Sequence, residues 1–211
     1  LQSVRRDLPA WTEVAHDLSA YAGRQVTLRF GAFNSGLGDV SAMYVDEVSL
    51  GVGSSGLCVE LAANGGFETE SGWVIYDTPY KARYSSALAR TGLRTMKLGI
   101  VVPAANVFSY SSAEQQLSVP EGKDTTLSLW YNMPQGGGRG DYGYLLIRPE
   151  GRSWSILRIV QDGTGGWIEL QEDLSHLAGQ AVTLRLGMRN DGGAELAAMY
   201  VDDVSVRACT P

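Results

Sequence analysis

Sliding the chain by 156 residues lays Trp11–Leu50 on Trp167–Val206 without a gap, with 21 of 40 positions identical. The shared frame reads W-x-E-x-x-x-D-L-S, A-G, V-T-L-R, G-x-x-N and A-M-Y-V-D-x-V-S. Self-similarity at a fixed offset defines the structural unit before any local pattern does. With a unit of this length, 57–211 holds one complete copy and 1–50 only the terminal third of a preceding one. A third of a unit offers about three strands, too few to bury their own apolar faces. The missing part is expected either upstream on the same polypeptide or from another copy of the chain, because an open sheet edge is a template for pairing.

Within the repeated block the pattern has a period of two. Val26, Leu28 and Phe30 share one face, with Gln25, Thr27 and Arg29 on the other; Val182, Leu184, Leu186 and Met188 oppose Thr183 and Arg185. Such alternation reads as an antiparallel strand with one buried face. Further strands are expected at Trp11–Asp17, Met43–Leu50, Cys58–Leu61, Trp73–Ile75, Thr95–Ile100, Ala113–Val119, Thr125–Asn132, Tyr142–Arg148 and Ser153–Gln161. Turn signals separate nearly all of them, and no segment sustains a 3.6-residue apolar period. Many short strands with Gly-rich turns predict an all-β sandwich or barrel, and the expectation adopted is a jelly-roll β-sandwich of two antiparallel sheets. Residues 51–56, Gly-Val-Gly-Ser-Ser-Gly, read as a linker. They formally fit G-x-G-x-x-G, but no helical pattern follows to face a pyrophosphate.

Composition narrows the function. The net charge of -6 argues against nucleic acid as partner, since phosphates need a basic surface. No apolar run approaches the roughly 18 residues of a membrane span. His16 and His176 are the sole histidines; each has an aspartate nearby (Asp17, Asp173), yet neither adjoins a nucleophile motif. No catalytic constellation is visible, and the chain is expected not to be an enzyme. The string Arg139-Gly140-Asp141 lies in a Gly-rich loop and reads as chance. Aromatic residues give the best hint of a ligand. If Leu127, Leu129, Leu145 and Ile147 face the core, Trp130 and Tyr144 face outward on neighbouring strands, with Trp154 on the next. Exposed aromatics stack on sugar faces or anchor protein interfaces; the alternative is that they fill the interior.

The stretches CVELAANGGFETESGW, ARTGLRTMKLG, GDYGYLLIRPEG and GGWIELQEDLSHLAGQAVTLRLGMRND…MYVDDVSV resemble extracellular jelly-roll modules. That broad group includes MAM-like domains, C-terminal modules of secreted bacterial peptidases and calcium-containing carbohydrate-binding modules. The resemblance implies a secreted or cell-surface protein. It leads to a non-catalytic structural or adhesive repeat, assembling with further copies through its incomplete first unit. The alternative is a carbohydrate-binding module that targets an attached enzyme to polysaccharide.

Two finer expectations follow. Cys58 opens the complete unit and Cys209 closes it; in jelly rolls the first and last strands lie close, so a disulfide is expected over the alternative of two free thiols. In the calcium-containing modules that the chain resembles, an acid and a carbonyl from the opening N-G-G-F-E-like stretch join an aspartate of the closing strand. The matching positions are the Gly66 carbonyl, Glu68 and Asp202, with Asp203 as substitute, for a structural Ca2+. Alternation places Asp202 on one face with Val204 and Val206, pointing inward, where a carboxylate needs a metal or hydrogen bonds. The open alternative is that backbone amides of the opening turn satisfy it.

Overall fold

The computed structural model describes residues 11, 14–16, 18, 21, 24–34, 36, 42–48, 58–138 and 140–210. The linker string at 51–56 and Arg139 of the tripeptide lie outside them. The chain divides into two compact units, residues 1–55 and 56–211.

The described residues of the second unit form eleven strands: β1 (Cys58–Glu60), β2 (Val74–Ile75), β3 (Arg83–Ser85), β4 (Thr95–Gly99), β5 (Phe108–Ser118), β6 (Asp124–Asn132), β7 (Tyr142–Pro149), β8 (Ser155–Val160), β9 (Ile168–Asp173), β10 (Ala181–Asp191) and β11 (Ala198–Cys209). They form two sheets. One runs β3-β4-β11-β6-β9, with β1 also paired to β11, and the other runs β2-β5-β10-β7-β8. Every pairing is antiparallel. The jelly-roll sandwich is thus the observed fold. Strand β3 and the first half of β5 were not expected from the sequence; β3 is only three residues of mixed exposure, too short to show a period.

Alternation builds the core. Val182, Leu184, Leu186 and Met188 of β10 point inward and are buried, as do Leu145 and Ile147 of β7 and Ala113 and Leu117 of β5. From the facing sheet come Leu127 and Leu129 of β6, Met96 and Leu98 of β4, and Val201 and Val206 of β11. Burying a chain of such side chains contributes roughly 1.5–3 kcal/mol each before entropy is counted. Strand β11 keeps this face only by breaking step. Its register with β6 shifts between Asp202 and Ser205, and Asp203 takes a positive φ of 49°. One extra residue resets the parity, so Met199 and Val201 before the bulge and Val204 and Val206 after it all enter the core. The expectation that Asp202 shares a face with Val204 and Val206 is therefore corrected: the bulge intervenes.

Cys58 lies opposite Cys209 in the β1–β11 ladder, and the two are joined by a disulfide. Strand β11 extends to Cys209 itself, beyond the expected end at Val206. Glu60 adds to the closure, its carboxylate accepting the amides of Ala62 and Val206 and hydrogen-bonding Ser205 Oγ.

In the first unit, none of the described residues belongs to a strand, in contrast to the three strands that alternation suggests. A strand is made by its neighbours. In the complete unit the repeated block supplies β9, β10 and β11, and β10 and β11 are flanked on both sides by strands from outside the block. Local geometry nevertheless recurs. Tyr21 N–H donates to Leu18 O at 2.8 Å and Arg24 N–H to Tyr21 O at 3.0 Å, matching Leu177 to Leu174 at 2.9 Å and Gln180 to Leu177 at 3.1 Å. Glu47 has a φ of 51° and donates its amide to Asp46 Oδ1 at 2.8 Å, as Asp203 does to Asp202 Oδ1 at 2.8 Å.

Candidate functional site

The outward face of the β2-β5-β10-β7-β8 sheet is where unusual chemistry accumulates. With the odd residues of β10 facing out, Arg185, Gly187 and Arg189 form its central row. Gly187 lies opposite Tyr144 of β7, and a Cβ there would stand 2.1 Å from the Tyr144 ring. The missing side chain lets that ring lie flat across the sheet, only 6% exposed. Burial pushes its phenol up to about 12, against a hydrogen bond with Ser112 and the charge of Arg185.

On one side of Tyr144 sits an aromatic–cation cluster. The Arg185 guanidinium lies 4.0 Å from the centre of the Trp154 ring and 6.0 Å from Tyr76; the Arg148 guanidinium lies 4.5 Å from Trp154. Arg185 is paired with Glu114 of β5, whose other oxygen accepts the Tyr76 hydroxyl at 2.9 Å. That bond is the main reason the Tyr76 phenol is raised. On the other side the face opens. Phe108 and Tyr110 of β5 meet edge to face at 5.5 Å and are 53% and 43% exposed. Arg189 lies 5.3 Å from the Phe108 ring and 5.7 Å from Tyr142, which itself packs on Tyr144 at 6.3 Å. The Arg189 Nη1 donates to Gly140 O. Asp141, just before β7, fixes this end by accepting Asn190 Nδ2 and the Asp191 amide.

The sequence brought Trp130, Tyr144 and Trp154 forward together, and the structure separates them. Tyr144 and Trp154 share the face just described. Trp130 also points outward, but β6 belongs to the other sheet, so β6 and β7 are not neighbours. Trp130 is half-buried beneath the Arg90 guanidinium, 3.8 Å from its ring centre. Tyr142 shares the Tyr144 face, as alternation along its strand implies, and Arg185 was read as outward without a role; Arg148, Arg189, Tyr76, Phe108 and Tyr110 were not singled out. Their common signal was an arginine or aromatic at alternate, outward positions of strands whose pairing could not be seen.

Trp130 lies opposite Asp202 across the β6–β11 ladder, which puts Asp202 on the outer side of its sheet. It is nevertheless 0% exposed, because the segment around Arg90 covers it. Asp202 Oδ2 accepts the amides of Arg90 at 2.8 Å and Thr91 at 3.4 Å. Asp203 takes the Arg90 guanidinium at 2.6 Å and the Thr91 hydroxyl at 2.5 Å. Glu68 Oε1 holds the next amides, Leu93 at 2.9 Å and Arg94 at 3.0 Å. The donors come from residues 90–94 and, on Asp202 Oδ1, from the Asp203 amide, not from the opening turn. That turn is locked separately by the Asn64 side chain, bonded to Thr69 and Ser71, and by the Gly65 carbonyl accepting Val204 N–H. Burial pushes the Asp202 carboxyl up to about 6 in spite of its amide donors. Among the described residues, no three His, Cys, Asp or Glu side chains gather as a metal cage.

Of the histidines, His16 is exposed, and His176 sits in a single turn, Ser175–Leu177. The neighbouring Asp173 is occupied with Ser175, whose hydroxyl and amide hold its carboxyl below the usual range. Among the described residues, no helix is long and apolar enough to cross a membrane.

No family model matches the chain. Bacillopeptidase F of Bacillus subtilis (strain 168) is 28% identical over 149 residues, covering 65% of this chain and 10% of that protein. The chain thus spans about a tenth of that curated relative. Among solved structures, the family 61 carbohydrate-binding module in complex with β-1,4-galactotriose superposes with a TM-score of 0.54 at 14% identity, over 70% of this chain and 97% of that one. The Family 16 Carbohydrate Binding Module-2 gives 0.50 at 16% identity, over 69% and 98%. The K3 cleaved adhesin domain of Lys-gingipain from Porphyromonas gingivalis gives 0.51 at 15%, over 71% and 98%. At these identities the likeness is one of fold: the second unit has the jelly-roll architecture of carbohydrate-binding modules.

Proposed function

We propose that the second unit is a non-catalytic glycan-binding module of a secreted or cell-surface protein. One observation carries this: the outer face of the five-stranded sheet presents Phe108, Tyr110 and Tyr142 beside arginine side chains, with Tyr144 as its floor. Aromatic rings offer flat apolar surface for the C–H faces of sugars, and guanidinium forks donate to their oxygens. The structural neighbours support this reading over the structural repeat that the sequence put first. A panel of soluble glycans tests it by affinity electrophoresis. Saturable binding that falls at least tenfold in Tyr142→Ala and Tyr110→Ala, but survives Trp130→Ala, is expected. No binding across a broad panel overturns the proposal.

Calcium belongs to the same proposal as a structural ion beside Asp202 and Glu68, with the Gly66 carbonyl. In its support, Asp202 is buried with a carboxyl that resists ionisation, and a cation would relieve it. Asp203 is ion-paired with the Arg90 guanidinium, a cation that would repel the ion, and so fits it less well than Asp202 and Glu68, whose donors are neutral amides. The ion's role would be to stabilise the fold.

Residues 1–50 are, in this reading, the terminal third of a preceding unit, completed by upstream sequence or by another copy. The recurring hydrogen bonds among Leu18, Tyr21 and Arg24 and the recurring positive φ with its Asp46–Glu47 bond support it. So do Val26, Leu28 and Phe30, which are 46%, 58% and 51% exposed where their counterparts in β10 are buried.

A further inference from the structure

We infer that the glycan bound on the five-stranded sheet is anionic, and that Arg189 is the residue that selects its carboxylate or sulfate groups. This rests on the glycan-binding reading above. Three arginines, Arg148, Arg185 and Arg189, share the face within a chain of net charge -6. Their acids are unevenly distributed. Glu114 pairs with Arg185, whereas Arg148 and Arg189 form no carboxylate ion pair among the described residues. Asp141 is buried and occupied by Asn190 and the Asp191 amide, and Asp191, the next acid along β10, is bonded to the Gly193 amide. Both acids stay charged, so the face is not positive in sum, but the Arg148 and Arg189 guanidiniums stand beside its exposed rings with donors that no carboxylate takes up.

The internal repeat separates scaffold from specificity. Arg185 and Gly187 recur as Arg29 and Gly31, while Arg189 is replaced by Phe33. What recurs serves the fold: Arg185 neutralises a buried carboxylate and Gly187 makes room for Tyr144. Arg189 has no such duty beyond one bond to Gly140 O. A guanidinium has five donors in a planar fork, so four remain for a ligand. That fork suits carboxylate and sulfate oxygens bidentately, with Phe108 and Tyr142 on either side to hold the plane and the sugar. Arg148, over Trp154, provides a second positive position on the same sheet.

The test uses the full 211-residue chain and isothermal titration against matched polymers. Polygalacturonate is compared with its carboxyl-reduced, neutral form, and dextran sulfate with dextran, at low and high salt. At least tenfold tighter binding of one charged polymer than of its neutral partner is expected, weakening with salt. The pair that shows the preference distinguishes uronate from sulfate. Arg189→Gln should abolish the preference while retaining the weak binding of the neutral polymer, which shows that the face is intact. Arg148→Gln should reduce it, and Arg207→Gln, an exposed arginine on the other sheet, should leave it unchanged. Equal affinity for charged and neutral polymers overturns the anionic assignment and leaves glycan binding standing. Binding to none of the polymers removes both. A preference lost equally in Arg207→Gln would mean general charge attraction and overturn the role of Arg189.

Discussion

Glu114 is 4% exposed, and its carboxylate is shared between the Arg185 guanidinium and the Tyr76 hydroxyl. Removing the cation would strand a buried charge. Breaking a fully buried pair costs roughly 3–5 kcal/mol, and because the Arg185 side chain is 27% exposed the figure here should be nearer about 2 kcal/mol. Arg185→Met is expected to lose that much in urea unfolding, and Arg185→Met/Glu114→Gln to recover most of it. Asp202 makes a different prediction. Its carboxyl stands at about 6 in the fold against 3.8 as its ordinary value, so the folded state holds the proton more tightly. The resulting stabilisation is complete below about pH 4 and is lost as pH rises through 6, by up to roughly 3 kcal/mol. In excess chelator the wild type should therefore melt higher at pH 5 than at pH 7, with Asp202→Asn lacking that difference. Calcium needs the ionised carboxylate, so the proposed ion should raise the melting temperature at pH 7 and much less at pH 5. An unchanged melt with calcium at both would retire the ion. That Asp202 is a buried acid was legible from its alternating neighbourhood, although the route was wrong. Burial comes from the Arg90 segment lying over the sheet, a contact 112 residues away in sequence.

At the scale of elements, Gly187 shows how one strand shapes another. Gly187→Ala would drive a methyl into the Tyr144 ring, and the strain should cost about 1–3 kcal/mol. Pairing it with Tyr144→Ser should restore stability while removing the floor of the candidate site, which thermal melts and glycan titration read separately. Here the legibility of the sequence has a clear boundary. Periodicity identified β10, β6 and β7 and their inward faces, because alternation is a property of one strand. It could not assign strands to sheets. Trp130 and Tyr144 were placed side by side since β6 and β7 are consecutive, and the fold sends them to opposite sheets. The bulge in β11 was equally silent: Asp203 adopts positive φ at a residue that is no glycine, so no turn signal marks it.

For the whole molecule, the repeat implies a stability that is divided. The second unit owns a continuous core, whereas the described residues of the first expose Val26, Leu28, Phe30 and Val48. Uncovered apolar surface of this kind favours association. The 211-residue chain is expected to self-associate in light scattering, and residues 56–211 alone to be monomeric. A monodisperse monomer of the full chain would count against completion of the first unit by another copy. The bonds among Leu18, Tyr21 and Arg24 and the positive φ at Glu47 recur because short-range contacts make them, whereas strands, which none of the described residues of the first unit forms, need long-range bonds.

The Cys58–Cys209 bridge has a mechanical consequence. The polypeptide enters and leaves the sandwich at adjacent points of the β1–β11 ladder, so a pulling force applied through the flanking chain passes across one covalent bond. The 151-residue separation between the cysteines is shielded from tension. Pulled through its two flanking chain ends, the second unit would stay folded under loads that unzip an unbridged sandwich. Stretching single molecules by their ends should show no lengthening from the second unit while the bridge is intact. Reduction should release a step of about 50 nm, the reach of that many extended residues.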